Sequence, residues 1–204
     1  MTLQASQLLT YLNMIAKVKI TNLSEAESYS FNKNNRDYDL WVSVISAEER
    51  KKINRMEKNF REKNVRFFRQ FFEDWSDEDG PQWGHLEANA PKPHHIQSII
   101  TFLKPYAENT EPHRLGVNCF AGISRSTAVG IIALVMSGRS IQDALIEILK
   151  DRPEAWPNLR ILDIASKILA VDLKTHVADW KKHVLRCGDI WTPPDRLRQE
   201  NDES

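Results

Sequence analysis

Apolar and polar positions follow two different periods along this chain. VKITNL (18 to 23) and LWVSVIS (40 to 46) are β-branched and aromatic-rich runs of strand length. SEAESYS between them suits a short helix with Ser24 as candidate N-cap, which gives a βαβ-like opening. From Ala47 to Lys63 the chain is highly charged and helix-forming. VRFFRQFF (65 to 72) then reads as another, buried strand that feeds the polar segment EDWSDEDGPQWG. Ile96, Ile99, Ile100 and Leu103 keep the period of a helix packed on one face, and LGVN (115 to 118) is a short strand entering a glycine-containing loop. Residues 125 to 137 are apolar nearly all round, as expected of a helix buried beneath a sheet, with Gly138 placed as its C-cap. Ser140 with Asp143 starts the next helix, Ile141, Ala144, Leu145, Ile148 and Leu149 mark its buried face, and Pro153 and Pro157 close it. Asn158 caps a last core helix through Leu169. The pattern therefore predicts strands alternating with helices, in a single domain over residues 1 to 190. A polar, loosely ordered tail is expected from 191 to 204, where two prolines stand. No internal repeat or low-complexity tract interrupts it.

Composition narrows the function classes. A chain of 204 residues, 41% hydrophobic and 27% charged, has the profile of one soluble globular domain. Basic and acidic side chains both total 28, so the global field gives no reason to expect nucleic acid or an anionic membrane as partner. Any anion site must be local. The N-terminal stretch has no basic region followed by a long apolar run, and no segment approaches the roughly 20 apolar residues that span a bilayer; a cytoplasmic protein is expected. Cys119 and Cys187 are too few for a disulfide framework or a cysteine zinc site, so at least one thiol should be free. No metal site or cofactor is expected: His94 and His95 lack partners at metal-site spacing and are read as surface residues. The basic run from Arg50 to Arg69 interleaves with glutamate as a solvated helix face does, and Trp75, Trp83 and Trp156 are assigned to core or lid packing.

Candidate chemistry concentrates in NCFAGISRST (118 to 127). A strand, a loop and a helix N-terminus in that order cradle phosphate, because inward N–H groups and the positive end of the helix dipole both bind an anion. Gly122 lets the backbone take a turn that a Cβ would forbid. The same field favours a thiolate, and Cys119 stands at the mouth of the loop. Arg125, six residues on, brings a planar fork that matches two phosphate oxygens.

VNCFAGISRSTAVG resembles the signature loop of the cysteine-dependent protein tyrosine phosphatases, most closely their compact dual-specificity-like and bacterial members, whose pattern is H-C-x-x-G-x-x-R-[ST]. FFEDW is similar to that family's general-acid segment and RPEAWPN to a segment of its bacterial members, so the resemblance spans most of residues 18 to 170. It implies an α/β fold with a central, mainly parallel sheet flanked by helices, and a two-step hydrolysis of phosphoesters without metal. On that pattern Cys119 attacks phosphorus to give a cysteinyl-phosphate. An upstream Asp protonates the departing oxygen and then activates water. The N–H groups of Phe120, Ala121, Gly122, Ile123, Ser124 and Arg125, with the Arg125 guanidinium, hold the phosphoryl oxygens. Ser126 matches the hydroxyl that stabilises the thiolate.

Two departures matter. Asn118 replaces the family's usual His, which organises the loop and favours the thiolate; Asn118 is expected to weaken the nucleophile without eliminating it, since its amide can still donate to a loop carbonyl. Asp74, at the strand end, is favoured as general acid, with Asp77 and Asp79 remaining open. Ser124 reads as an ordinary polar residue of a helix N-terminus. The expected partner is a phosphorylated protein or other phosphomonoester. Two alternatives stand beside a tyrosine or dual-specificity phosphatase: a non-catalytic phosphate-binding module, and a phosphatase of RNA 5′-phosphate, phosphoinositide or a small metabolite. The absence of lysine within the loop argues against inositol polyphosphates.

Overall fold

The computed structural model describes residues 15–34, 36–76, 86–109 and 111–187. Four strands, β1 (Ile15–Thr21), β2 (Leu40–Ile45), β3 (Arg66–Phe71) and β4 (His113–Asn118), form one sheet in the order β1-β4-β2-β3, every pairing parallel. Around it lie α1 (Leu23–Phe31), α2 (Arg50–Glu62), α3 (Pro93–Ala107), α4 (Arg125–Met136), α5 (Ile141–Asp151), α6 (Leu159–Leu169) and α7 (Leu173–Cys187). A 3₁₀ turn over Ala47–Glu49 leads into α2. The α/β fold and parallel sheet implied by the signature loop are thus present, although β4 separates β1 from β2 instead of leaving them adjacent.

β2 is buried on both faces, which explains its run of apolar residues, interrupted only by Ser43. Leu40, Val42 and Val44 join a core with α3 to α7. Trp41 and Ile45 join a second core with Leu23 and Ala26 of α1 and Ile53, Met56 and Phe60 of α2. The helices after β1 and β2 therefore cover one face of the sheet and α4, after β4, covers the other. Ligands of open α/β sheets bind at such a reversal, beyond the carboxyl ends of the strands.

Several details correct the sequence pattern. Asn22, not Ser24, caps α1: its Oδ1 accepts the Glu25 amide at 2.8 Å while the Glu25 carboxylate accepts the Asn22 amide at 2.9 Å. β3 is a partly buried strand in which only Phe67 is buried, because it lies at the edge of the sheet formed by the described residues. α6 is not the last core helix, since α7 follows and buries Leu173, Val177, Trp180 and Val184. Ser140 and Asn158 do cap α5 and α6, and Gly138 follows α4 at φ +88°. His94 is exposed, but His95 is half-buried and stacks on Phe72 with ring centroids 5.3 Å apart. Asp77, Asp79, Trp83 and the tail from residue 191 lie outside the described residues. Among the described residues no helix is long and apolar enough to cross a membrane.

Candidate active site

β4 ends at Asn118, α4 begins at Arg125, and the six residues between wrap around the Cys119 sulfur. Gly122 makes the wrap possible at φ +76°, and a Cβ there would come within 2.9 Å of the Thr21–Asn22 backbone. Four loop carbonyls are drawn outward. That of Phe120 accepts the Leu23 amide at 3.0 Å and that of Ala121 accepts Arg152 Nη2 at 3.2 Å. The Ile123 carbonyl accepts the Trp156 amide at 2.9 Å and Thr127 Oγ1 at 2.6 Å. The Ser124 carbonyl accepts the Asn158 amide at 3.3 Å. In a planar trans peptide the N–H points opposite to the carbonyl, so anchoring these carbonyls outward turns the amides of residues 121, 122, 124 and 125 inward. The Gly122 amide accordingly donates to Cys119 Sγ at 3.1 Å, and Ser126 Oγ lies 3.2 Å from the same sulfur. Cys119 is buried.

Arg125 is 4% exposed, in the first turn of a helix that holds no other charged residue. Its Nη1 donates to the Phe72 carbonyl at 2.7 Å and to Ser46 Oγ at 3.3 Å, and Ser46 in turn donates to Glu73 Oε2 at 2.6 Å. One end of the guanidinium is thereby fixed. Its Nε is buried without a hydrogen-bond acceptor among the described residues; Asp74 Oδ2, at 3.5 Å, forms an ion pair with it but lacks hydrogen-bond geometry. A buried donor left in this way is costly and suits an incoming anion.

Asp74 stands at the same mouth. Its Oδ1 accepts Ser124 Oγ at 2.7 Å and Asn158 Nδ2 at 3.0 Å, while Asn158 Nδ2 also reaches the Trp75 carbonyl at 3.2 Å. Asn158 serves two elements, because its Oδ1 caps α6 by accepting the Ile161 amide at 3.1 Å. Sequence reasoning gave the Ser124 side chain and Asn158 only helix-end roles and did not single out Ser46, Arg152 or Trp41. The one signal for Asn158 was its place in RPEAWPN. Asn118 is buried and lies behind the loop, accepting the Trp41 indole N–H at 2.8 Å and directing its own amide to the Cys119 carbonyl at 3.4 Å. The side chain of Phe120 is 60% exposed at the mouth.

No protein-family model and no curated protein matches the chain. Solved structures do. The crystal structure of Tk-PTP in the active form superposes with a TM-score of 0.50 at 18% identity, covering 79% of this chain and 94% of that one. Human DUSP28 gives 0.44 at 18% identity over 76% of this chain and 89% of its own, and PTPMT1 gives 0.46 at 16% over 84% and 98%. The chain has the α/β fold of the protein tyrosine phosphatases, the class its loop resembles.

Proposed function

We propose that this protein hydrolyses phosphoric monoesters as a protein tyrosine phosphatase-like enzyme through a cysteinyl-phosphate. The observation that carries this reading is the enclosure of Cys119 Sγ between the Gly122 amide and Ser126 Oγ, beside an Arg125 whose buried Nε has no acceptor. The phosphoryl group sits on the inward amides and the guanidinium. Cys119 Sγ attacks phosphorus, the phosphorus–oxygen bond to the leaving group breaks, and Asp74 gives that oxygen its proton. The Asp74 carboxylate then takes a proton from water as the water oxygen attacks phosphorus. The sulfur–phosphorus bond breaks, Ser126 and the Gly122 amide stabilise the departing thiolate, and inorganic phosphate leaves.

The expected substrate is a phosphorylated protein, and exposed Phe120 offers an apolar surface beside the anion site. Asn118 favours a second reading, a module that holds the phosphoryl group without turning it over.

An aryl phosphate assay followed by phosphopeptides, phosphoinositides and 5′-phosphorylated RNA separates these readings. Wild type should turn over the aryl phosphate in EDTA, and Cys119→Ser should lose turnover while still binding phosphate, because the cradle is largely backbone. Full activity in Cys119→Ser, or loss with chelator, rules out the cysteine mechanism. Phosphate binding by a wild type that turns over nothing supports the module.

A further inference from the structure

We propose that Trp41 is a positioning residue for the nucleophile loop, acting through Asn118. The proposal builds on the phosphatase reading above, but its test needs no turnover. Trp41 is fully buried in β2, stacked on Phe60 at 4.5 Å between ring centroids. Its indole lies over Gly116 of β4, where a Cβ would come within 2.3 Å of the ring. That packing delivers the indole N–H to the side chain two residues further along β4, where it meets Asn118 Oδ1 at 2.8 Å.

An indole nitrogen can only donate. The carboxamide atom facing it must therefore be the oxygen, which turns the Asn118 amide toward the Cys119 carbonyl, 3.4 Å away. The Cys119 carbonyl, which only accepts, favours the same orientation, but at 3.4 Å against 2.8 Å it is the weaker of the two constraints. Thr21 and Ser43 are the partners of Asn118 on the two neighbouring strands, and both hydroxyls are buried with no hydrogen-bond partner among the described residues. Hydroxyls donate and accept, so without the indole they can satisfy the carboxamide in either orientation. Trp41 removes that ambiguity. With the Cys119 carbonyl held by Asn118, the planar peptide that follows turns the Phe120 amide inward, adding it to the amides oriented by the outward carbonyls of residues 120, 121, 123 and 124.

The test is a double-mutant cycle read by the rate of Cys119 alkylation against pH, followed on the Cys119 peptide by mass spectrometry. Trp41→Phe keeps an aromatic ring in the core and removes the N–H. It should move the midpoint of the profile up by about half a unit to one unit, roughly a 3- to 10-fold loss of reactivity below the midpoint, the scale of one hydrogen bond. In the Asn118→Ala background the same change should have no further effect. An unchanged midpoint in Trp41→Phe, or an equal shift in both backgrounds, overturns the proposal, the latter because a packing defect does not depend on Asn118.

Should Trp41→Phe fail to fold, Asn118→His with Trp41 kept decides by NMR. The ring nitrogen facing the indole must accept, so the imidazole should stay neutral well below its ordinary pKa of about 6.5. An imidazole that protonates at that ordinary value overturns the proposal. A wild type that shows the expected alkylation cycle but hydrolyses no phosphoester would reject the proposed function alone.

Discussion

Residues 119 to 125 and residues 72 to 75 meet at the Arg125 guanidinium, and they are fastened in opposite ways. The loop is held through its backbone: its carbonyls are bonded by groups from the start of α1, from Arg152 and from the residues leading into α6, and it runs into a helix buried on nearly every side. The acid segment leaves an edge strand. Its backbone is tied by the Phe72 amide to the Ile45 carbonyl at 3.1 Å and by the Glu73 amide to the Asn89 carbonyl at 2.8 Å, but the Asp74 carboxylate is held by side chains alone. Its side chain is 35% exposed, against 4% for Arg125. Most fastenings of the nucleophile loop survive the loss of any one side chain, whereas every fastening of the acid carboxylate is a side chain.

Removing the acid should give the largest effect among these contacts. Asp74→Ala is expected to lower the turnover of an alkyl phosphate by about 10² to 10⁴, with a smaller loss for leaving groups that depart without a proton. Cys119 alkylation should be unchanged. Wild-type rates on an alkyl phosphate would move the acid role to Asp77 or Asp79 and dissolve the contrast between the two regions.

Arg125→Lys comes next, at roughly 10² to 10³ in kcat. The guanidinium spends Nη1 on the Phe72 carbonyl and on Ser46 and still presents Nε toward the mouth. An ammonium has no rigid fork with which to do both. Phosphate binding should weaken in parallel, measured by calorimetry on the Cys119→Ser background. Retention of both properties would mean that the charge alone matters and the fork does not.

What the sequence disclosed about these regions follows the same division. The loop could be read because its requirements fall on consecutive positions: a glycine at positive φ, a cysteine before it, an arginine at the first turn of an apolar helix. The strand cores could be read because β2 is apolar on both faces and α4 nearly all round. The fastenings of Asp74 could not, since Ser124 and Asn158 are 50 and 84 residues away and both have ordinary local duties at helix ends. Trp41 and Asn118 are joined across 77 residues by the sheet register, which no local pattern encodes. α7 is a different case: Leu173, Val177, Trp180 and Val184 carry the helical period in the sequence, but charged residues between them mask the stripe.

Ser124→Ala sharpens the contrast with a smaller change. Losing one of the two neutral donors to Asp74 Oδ1 should cost roughly 3- to 10-fold on an alkyl phosphate, the value of one hydrogen bond expressed as rate, and almost nothing on an activated aryl phosphate. The alkylation profile of Cys119 should stay in place. A uniform loss across leaving groups would place Ser124 with the phosphate cradle instead of the acid.

The smallest effect concerns stability and reaches the acid segment from below. His95 stacks on Phe72, with ring planes 14° apart, and Phe72 supplies the carbonyl that fixes Arg125. Its Nδ1 accepts the Lys92 amide at 3.2 Å, an arrangement open only to the neutral ring. Burial first, then the neighbouring His94 and Lys92, push its pKa down to about 4. Because this lies below the value of about 6.5 in an unfolded chain, the unfolded state binds more protons between those two values and stability rises with pH across that window. The contribution is complete above about pH 6.5 and is lost as the pH falls toward about 4. Asp39, Asp163 and Asp172 have lowered pKa values, so their contributions disappear only at still lower pH, below the ordinary carboxylate value of 3.8. The slope of Tm between about pH 6.5 and 4.5 should therefore flatten in His95→Gln relative to wild type, with the two proteins diverging most at the neutral end. A variant that follows the wild-type slope would show that His95 carries no proton linkage and that the floor beneath Phe72 is indifferent to its charge.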